Sequence, residues 1–370
     1  MSGYFLYHSI GTFPGKERLM SSALADFSRI WCAENDSQWP AALEARQTFI
    51  THWERLIGAA RGTLTTAENV TAALYSLIGA LPSSYLKGRR ILVAADCFPS
   101  LHFLLANLAE RFGYKLETVP LRAGEAYVRD EDFIARWSED VGVALITWVT
   151  STTSYRCDVA ALAQHGRRMG TLVGVDITQG VGIVPFTVTE GIGFVVSSSL
   201  KWLCGTSGAG ILYVDREILP DCRPEFRGWF SQDNPFSWDL DSFEYAPDAR
   251  RFDHGTPAIL ASVASLPGLR FVEETGIDAL RAHNLKLTGR IIDHAQAEGW
   301  MIVSPLDAEQ RGGSIMIRLG DDVDVKSIIG QLRARKLYCD ARGQILRLSP
   351  GVSTTEEDSD KLCRSISELI

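Results

Sequence analysis

LVGVDITQGVGIVPFTVTEGIGFVVSSSLKWLCGTSGAGILYV, Leu172 to Val214, is the stretch whose reading decides the fold. It holds three short apolar runs, Thr171 to Val175 (starting one residue upstream of the quotation), Phe194 to Ser197 and Ile211 to Val214. Such runs, bounded by Gly, Asp or Ser and too short for helices, mark strands buried on both faces. Asp176 closes the first run, Gln179 follows three residues later, and the second run delivers Ser197, Ser198, Ser199 and Lys201. Ligands of open α/β sheets sit at the carboxyl ends of the strands. These side chains are therefore expected together at one sheet edge.

Working outward, Arg90 to Ala95 and Val143 to Val149 repeat the strand signal and alternate with helical stretches at Pro99 to Phe112 and Cys157 to Met169. That alternation predicts an α/β fold with a mostly parallel central sheet and helices on both faces. From about Pro257 the texture changes to long helical segments, Ala258 to Glu274 and Ile277 to Glu298. Short strands follow at Met301 to Ser304, Ser314 to Leu319 and Gln344 to Leu348, with helices at Val325 to Arg335 and Thr355 to Leu369. This predicts a large domain over 17–257 and a smaller α+β domain made of residues 1–16 and 258–370, with residues 1–16 lying across the cleft.

A chain of 370 residues with 46% hydrophobic content can fill both cores. Its net charge of -8 without a clustered basic face argues against nucleic acid. No apolar stretch approaches the roughly 20 residues that cross a bilayer, and the start lacks a secretory pattern, so no membrane partner is expected. The seven cysteines are scattered without a C-x-x-C, which points to a reducing cytoplasm. The seven histidines show no metal-ligand spacing, so no metal is expected.

The chemistry of the decisive stretch is specific. A buried carboxylate favours the protonated form of a ring nitrogen beside it, which is Asp176's expected task. A partly desolvated lysine amine forms a Schiff base with a carbonyl and later acts as acid or base, and Lys201 is the only one of the eight lysines that directly follows a buried strand. Pyridoxal 5′-phosphate (PLP) needs both, because its ring is an electron sink only while its nitrogen is protonated. Gln179 suits the ring hydroxyl as a neutral donor.

The order Asp176, Gln179, Ser198, Lys201 and a Gly-rich run from Gly205 into an L-Y-V strand ending at Val214 resembles the class V branch of fold-type I PLP enzymes. That branch includes kynureninases, cysteine desulfurases and some aminotransferases, and the resemblance runs from about Leu6 to Ile370. It implies that Phe98, in DCFPSLHFLL, stacks on the cofactor ring. It also implies that Thr66, Ala67, Glu68 and Asn69 present a helix start to the phosphate, where free N–H groups and the dipole favour an anion. The resemblance also makes Trp229 of the Gly228-Trp229 pair an expected cofactor contact. Thr256 of RFDHGTP is implied to reach the phosphate of a neighbouring subunit, hence a homodimer with shared active sites. In RGQILRLSP the resemblance makes Arg347 the grip for the substrate α-carboxylate, a task suited to a bidentate guanidinium, with Arg342 as the alternative.

Departures from the pattern narrow the reaction. Kynureninases carry a Tyr before the lysine, an Asp after F-P-S and an S-N-P loop, where this chain has Leu200, Leu101 and Gly255-Thr256-Pro257. Desulfurases need a nucleophilic cysteine, and the candidate Cys339 lies in RKLYCDARG, which reads as a strand entering a turn. The expectation is an enzyme acting on an α-amino acid through an external aldimine, a lyase cleaving a C–S or C–C bond at the β-carbon. A class V aminotransferase with a keto-acid acceptor is the alternative.

Overall fold

The computed structural model describes residues 2–370. The first part of the chain forms β1 (Gly3–Tyr4), α1 (Lys16–Trp31), α2 (Gln38–Ile57), β2 (Leu64–Ala67), α3 (Val70–Ile78), β3 (Arg90–Ala94), α4 (Pro99–Phe112), β4 (Lys115–Val119) and α5 (Asp130–Ala135). Next come β5 (Val141–Thr147), α6 (Val159–Met169), β6 (Leu172–Asp176), β7 (Ile192–Ser198) and β8 (Gly210–Val214). The central sheet has seven strands in the order β2-β8-β7-β6-β5-β3-β4. The five strands from β7 to β4 run parallel, while β8 pairs antiparallel with β7 and β2 antiparallel with β8. The sheet is thus mostly parallel, as the alternation predicts.

Side chains alternate across this sheet with period two. Leu92, Ala144, Val173, Val175 and Val195 point into one core, and Ile91, Val93, Val143, Leu145, Phe194 and Val196 into the other. Helices cover both layers, so the interior strands β3, β5, β6 and β7 read as near-continuous apolar runs. Gly174 is required where β6 passes β7: a Cβ there would lie 1.8 Å from the Phe194 ring.

The remaining elements are α7 (Ile259–Thr275), α8 (Ile277–Ala297), β9 (Met301–Ile302), β10 (Ile315–Arg318), α9 (Val325–Ala334), β11 (Leu337–Tyr338), β12 (Asp340–Arg342), β13 (Ile345–Leu348) and α10 (Glu356–Ser367). The small sheet is antiparallel, in the order β12-β13-β10-β9. Its core joins Ile291, Ile315, Ile317, Leu332, Leu346, Leu348 and Leu362. The two cores divide within α8 and not at residue 257. Leu266, Leu269 and Val272 of α7 and Leu280 of α8 are buried in the large core with Phe49 and Trp53 of α2, whereas Ile291 begins the small one.

The N-terminal segment bridges the two parts. Gly3 pairs with Leu337 in a parallel ladder between β1 and β11. Phe5 is fully buried in the small core, and Tyr7 lies in the large core, stacked on Trp202 at 5.7 Å. Burying such side chains contributes about 1.5–3 kcal/mol each, enough to fix the crossing path. Among the described residues no helix is long and apolar enough to cross a membrane.

Candidate active site

The carboxyl ends of β6 and β7 bring the predicted residues to one edge. Asp176 is the last residue of β6 and is buried. Its Oδ1 accepts from the Thr178 backbone N–H at 3.0 Å and hydroxyl at 2.5 Å, while Oδ2 takes no hydrogen bond among the described residues. Burial pushes the Asp176 carboxyl up from its ordinary value, and the Thr178 bonds and the charge of Lys201 pull against that. Ser198 is the buried last residue of β7.

Lys201 follows three residues on. Burial lowers its amine to about 8, opposed by Asp176 and aided by Arg347. Its Nζ stands 5.6 Å from the centroid of the Phe98 ring. Phe98 immediately precedes Pro99, which opens α4 at a position where proline's missing N–H costs nothing. At 42% exposure Phe98 is no core residue, and its ring is open to a planar ligand. Gln179 donates from Nε2 to the His8 carbonyl at 3.2 Å and to Ser151 Oγ at 3.4 Å.

Arg347, in β13, is buried and donates from Nε to Asp340 Oδ1 at 2.8 Å and from Nη2 to Asp340 Oδ2 at 2.5 Å. A longer contact of 3.5 Å joins Nη1 to the Ser151 carbonyl. Burial works against ionising Asp340, but the nearby His8 and the bonds from Arg347 hold it well below the usual carboxylate range. Arg342 behaves differently: its side chain is 63% exposed and its guanidinium donates to the neighbouring Ala341 carbonyl. Of the two arginines, Arg347 is the one whose charge acts on Lys201.

Three residues of this edge carried no signal in the sequence. His8 is buried, with Nδ1 2.6 Å from Ser349 Oγ. Its Nε2 lies 2.9 Å from Asp340 Oδ1 in poor hydrogen-bonding alignment. Burial lowers the imidazole pKa; Asp340 resists, and the charges of Arg347 and Lys201 assist. His8 and Ser151 are ordinary loop residues locally, marked only by distant partners, and Asp340 is marked by Arg347, opposite it in the β12–β13 ladder.

The second part of the site lies where β2 enters α3. Asn69 caps that helix, its Oδ1 accepting from Ala72 N–H at 2.9 Å. The preceding Thr66 hydroxyl accepts from Arg46 Nε at 2.9 Å, and Arg46 Nη2 also binds Thr65 and Asp253, each at 2.7 Å. A cavity of about 80 Å³ is lined by Thr66, Ala67 and Glu68 on one side and by Asp253 to Thr256 on the other. Thr256 therefore shares a cup with the predicted phosphate residues of its own chain, and is exposed. Trp229 packs instead among aromatic rings, 6.0 Å from Trp39, 4.5 Å from Phe230 and 6.2 Å from Phe236. Within one chain it is in that cluster and not beside Lys201.

Residues 45–358 match the family described as Aminotransferase class-V. The chain belongs to the class V aminotransferase family. Similar curated proteins include an uncharacterized aminotransferase, YcbU, of Bacillus subtilis, 25% identical over 87% of this chain and 83% of that protein. The kynureninase of Myxococcus xanthus is 26% identical over 94% of this chain and 85% of its own. Among solved structures, the apo cysteine desulfurase of Thermococcus onnurineus superposes with a TM-score of 0.88 at 17% identity, covering 100% of this chain and 94% of that one. The class V protein is a PLP-dependent enzyme with the fold-type I architecture. Its residues fit the cofactor: a buried carboxylate with one uncommitted oxygen, a lysine amine near neutrality, an open aromatic ring and a capped helix start.

Proposed function

We propose that this class V enzyme is a lyase that cleaves a C–S or C–C bond at the β-carbon of an α-amino acid. The observation carrying the proposal is the Lys201 amine poised 5.6 Å from the Phe98 ring, lowered to about 8 with the charges of Asp176 and Arg347 acting on it, in a chain similar to a kynureninase over 94% of its length. PLP, when bound, supplies an electron sink conjugated to the substrate α-carbon. Lys201 would carry it covalently and then hold or move a proton at Nζ. Asp176 would keep the ring nitrogen protonated through its uncommitted Oδ2, Gln179 would donate to the ring hydroxyl, and Ser198 would line the same edge. Phe98 would cover one ring face. The peptide N–H groups from Thr66 to Asn69 would receive the phosphate, and Arg347 would bind the α-carboxylate.

The buried Cys339, with its thiol pushed up to about 12, is a poor nucleophile, which argues against sulfur capture of the desulfurase kind at this residue. A class V aminotransferase is the second reading, favoured by the likeness to the Bacillus subtilis aminotransferase. We further infer a homodimer: Phe103, Phe226, Phe236, Trp238 and Leu240 are exposed apolar side chains, Trp238 at 82% and Leu240 at 96%, and such exposure favours self-association. Thr256 and Trp229 would then serve the partner's phosphate end. The seven free thiols suit a reducing cytoplasm.

The test is incubation with a panel of amino acids, with and without keto acids, with products read by mass spectrometry and the cofactor by absorbance. A lyase releases a side-chain fragment and keeps its cofactor as the aldehyde. Stoichiometric accumulation of pyridoxamine phosphate, relieved by a keto acid, makes the protein an aminotransferase and removes the lyase reading.

A further inference from the structure

A guanidinium has five N–H donors in a fixed plane. Asp340 occupies one on Nε and one on Nη2 of Arg347, both with short contacts. This leaves the Nη1 group and the second Nη2 hydrogen, a parallel pair matched to a second carboxylate. The Ser151 carbonyl touches Nη1 at 3.5 Å, too long to compete strongly for that edge. Which way the free edge points is therefore set by Asp340.

Asp340 in turn lies against the imidazole of His8. Their heavy atoms are 2.9 Å apart, and His8 is itself fixed through Ser349, whose hydroxyl lies 2.6 Å from both His8 Nδ1 and Ser314 Oγ. On its other side the His8 carbonyl receives the Gln179 side chain. Three residues on, the Gly11 N–H donates at 2.9 Å to the carbonyl of Leu200, the residue before Lys201. One short segment thus touches the wall built by β6 and β7 and the wall built by β12 and β13.

We propose that Asp340 and His8 are positioning residues for the carboxylate site: Asp340 turns the free edge of Arg347 into the cleft, and His8 locks Asp340 in register with Gln179. The proposal rests on Arg347 as the α-carboxylate grip. His8 needs no proton transfer for this role, and its lowered pKa keeps it from competing with Arg347 as a second cation beside Asp340.

The test compares two small amines on the PLP-loaded protein by absorbance titration: glycine, which carries an α-carboxylate, and methylamine, which does not. In Asp340→Asn the dissociation constant for glycine should rise about tenfold or more while that for methylamine stays within about twofold. His8→Ala should move glycine several-fold in the same direction, again sparing methylamine. Should Asp340→Asn fail to bind cofactor, Asp340→Glu, which keeps the charge and displaces the fork, should give the same selective loss. Glycine binding unchanged in the Asp340 variant but lost in Arg347→Gln overturns the positioning role and leaves the Arg347 assignment intact. Parallel weakening of glycine and methylamine also overturns it, because a general collapse of the site has no preference for the carboxylate. Unchanged glycine binding in Arg347→Gln removes the grip assignment, and the proposal with it.

Discussion

Replacing Asp176 by asparagine should make Lys201 easier to deprotonate, the opposite of what a purely structural aspartate would do. Burial, opposed by Asp176, takes the Lys201 amine from 10.5 to about 8, a net cost of about 3.5 kcal/mol at about 1.4 kcal/mol per unit. At about pH 7.5 roughly a quarter of these amines are neutral, against about one in a thousand for an ordinary lysine, so the site holds on the order of 200 times more nucleophile. The charge of Asp176 raises the amine's pKa, so removing it leaves burial and Arg347 unopposed and the midpoint should fall below about 8. The measurement is pulse acylation of cofactor-free protein from about pH 6 to about pH 11, with the Lys201 peptide quantified by mass spectrometry. A wild-type midpoint near 10.5, or one that rises in Asp176→Asn, would refute the reasoning. The stability sign follows from the same shift. The folded pKa lies below the unfolded one, so between about 8 and 10.5 the unfolded chain binds more protons. The contribution of this group to the stability of the cofactor-free protein therefore improves as pH rises through that window.

Borohydride reduction of the yellow protein should fix the cofactor on Lys201 and on no other lysine, and Lys201→Ala should yield no adduct; a label on a different peptide would displace the assignment. Arg46→Ala strands Asp253, whose side chain is 4% exposed, and should cost about 3–5 kcal/mol in urea unfolding of the cofactor-free protein. A loss below about 1 kcal/mol would mean the pair is a surface-like contact. Mixing Lys201→Ala chains with chains impaired through Thr256→Ala should restore part of the activity if the phosphate end is shared between subunits, whereas a fully active monomer rules sharing out.

Much of the large domain was legible because strands buried on both faces read as apolar runs, as Val143 to Val149 and Thr171 to Val175 do. The edge strand β4, KLETV, alternates charge with apolar residues and stays partly exposed, so it sent no such signal. Strand β2 was hidden inside the approach to α3, since Thr65 and Thr66 suit a turn as readily as a ladder. Asp176, Gln179 and Lys201 lie within one short stretch whose order carries the chemistry, so the cofactor end was readable. His8 and Asp340 were not: His8 meets Ser349 across 341 residues, and neither neighbourhood holds a pattern that requires the other. Arg46 was missed for the same reason, its carboxylate partner lying 207 residues away. The change of texture at 257 marks a change of element type and not of core, since α7 still buries its apolar side chains against α2.

The bridge made by residues 3–11 also sets an order of assembly during synthesis. The strands, helix start and lysine of the cofactor end are all made by residue 257, and that half can begin folding while the rest of the chain is still on the ribosome. The first residues must then wait, because the partners of Gly3, Phe5 and His8 are Leu337, Tyr338, Asp340 and Ser349. Until those emerge, Phe5 has no core to enter, although Tyr7 can already stack on Trp202. A translation product ending before residue 337 would leave Phe5 without the core it enters in the whole chain, and would show that apolar side chain to the cell's quality control.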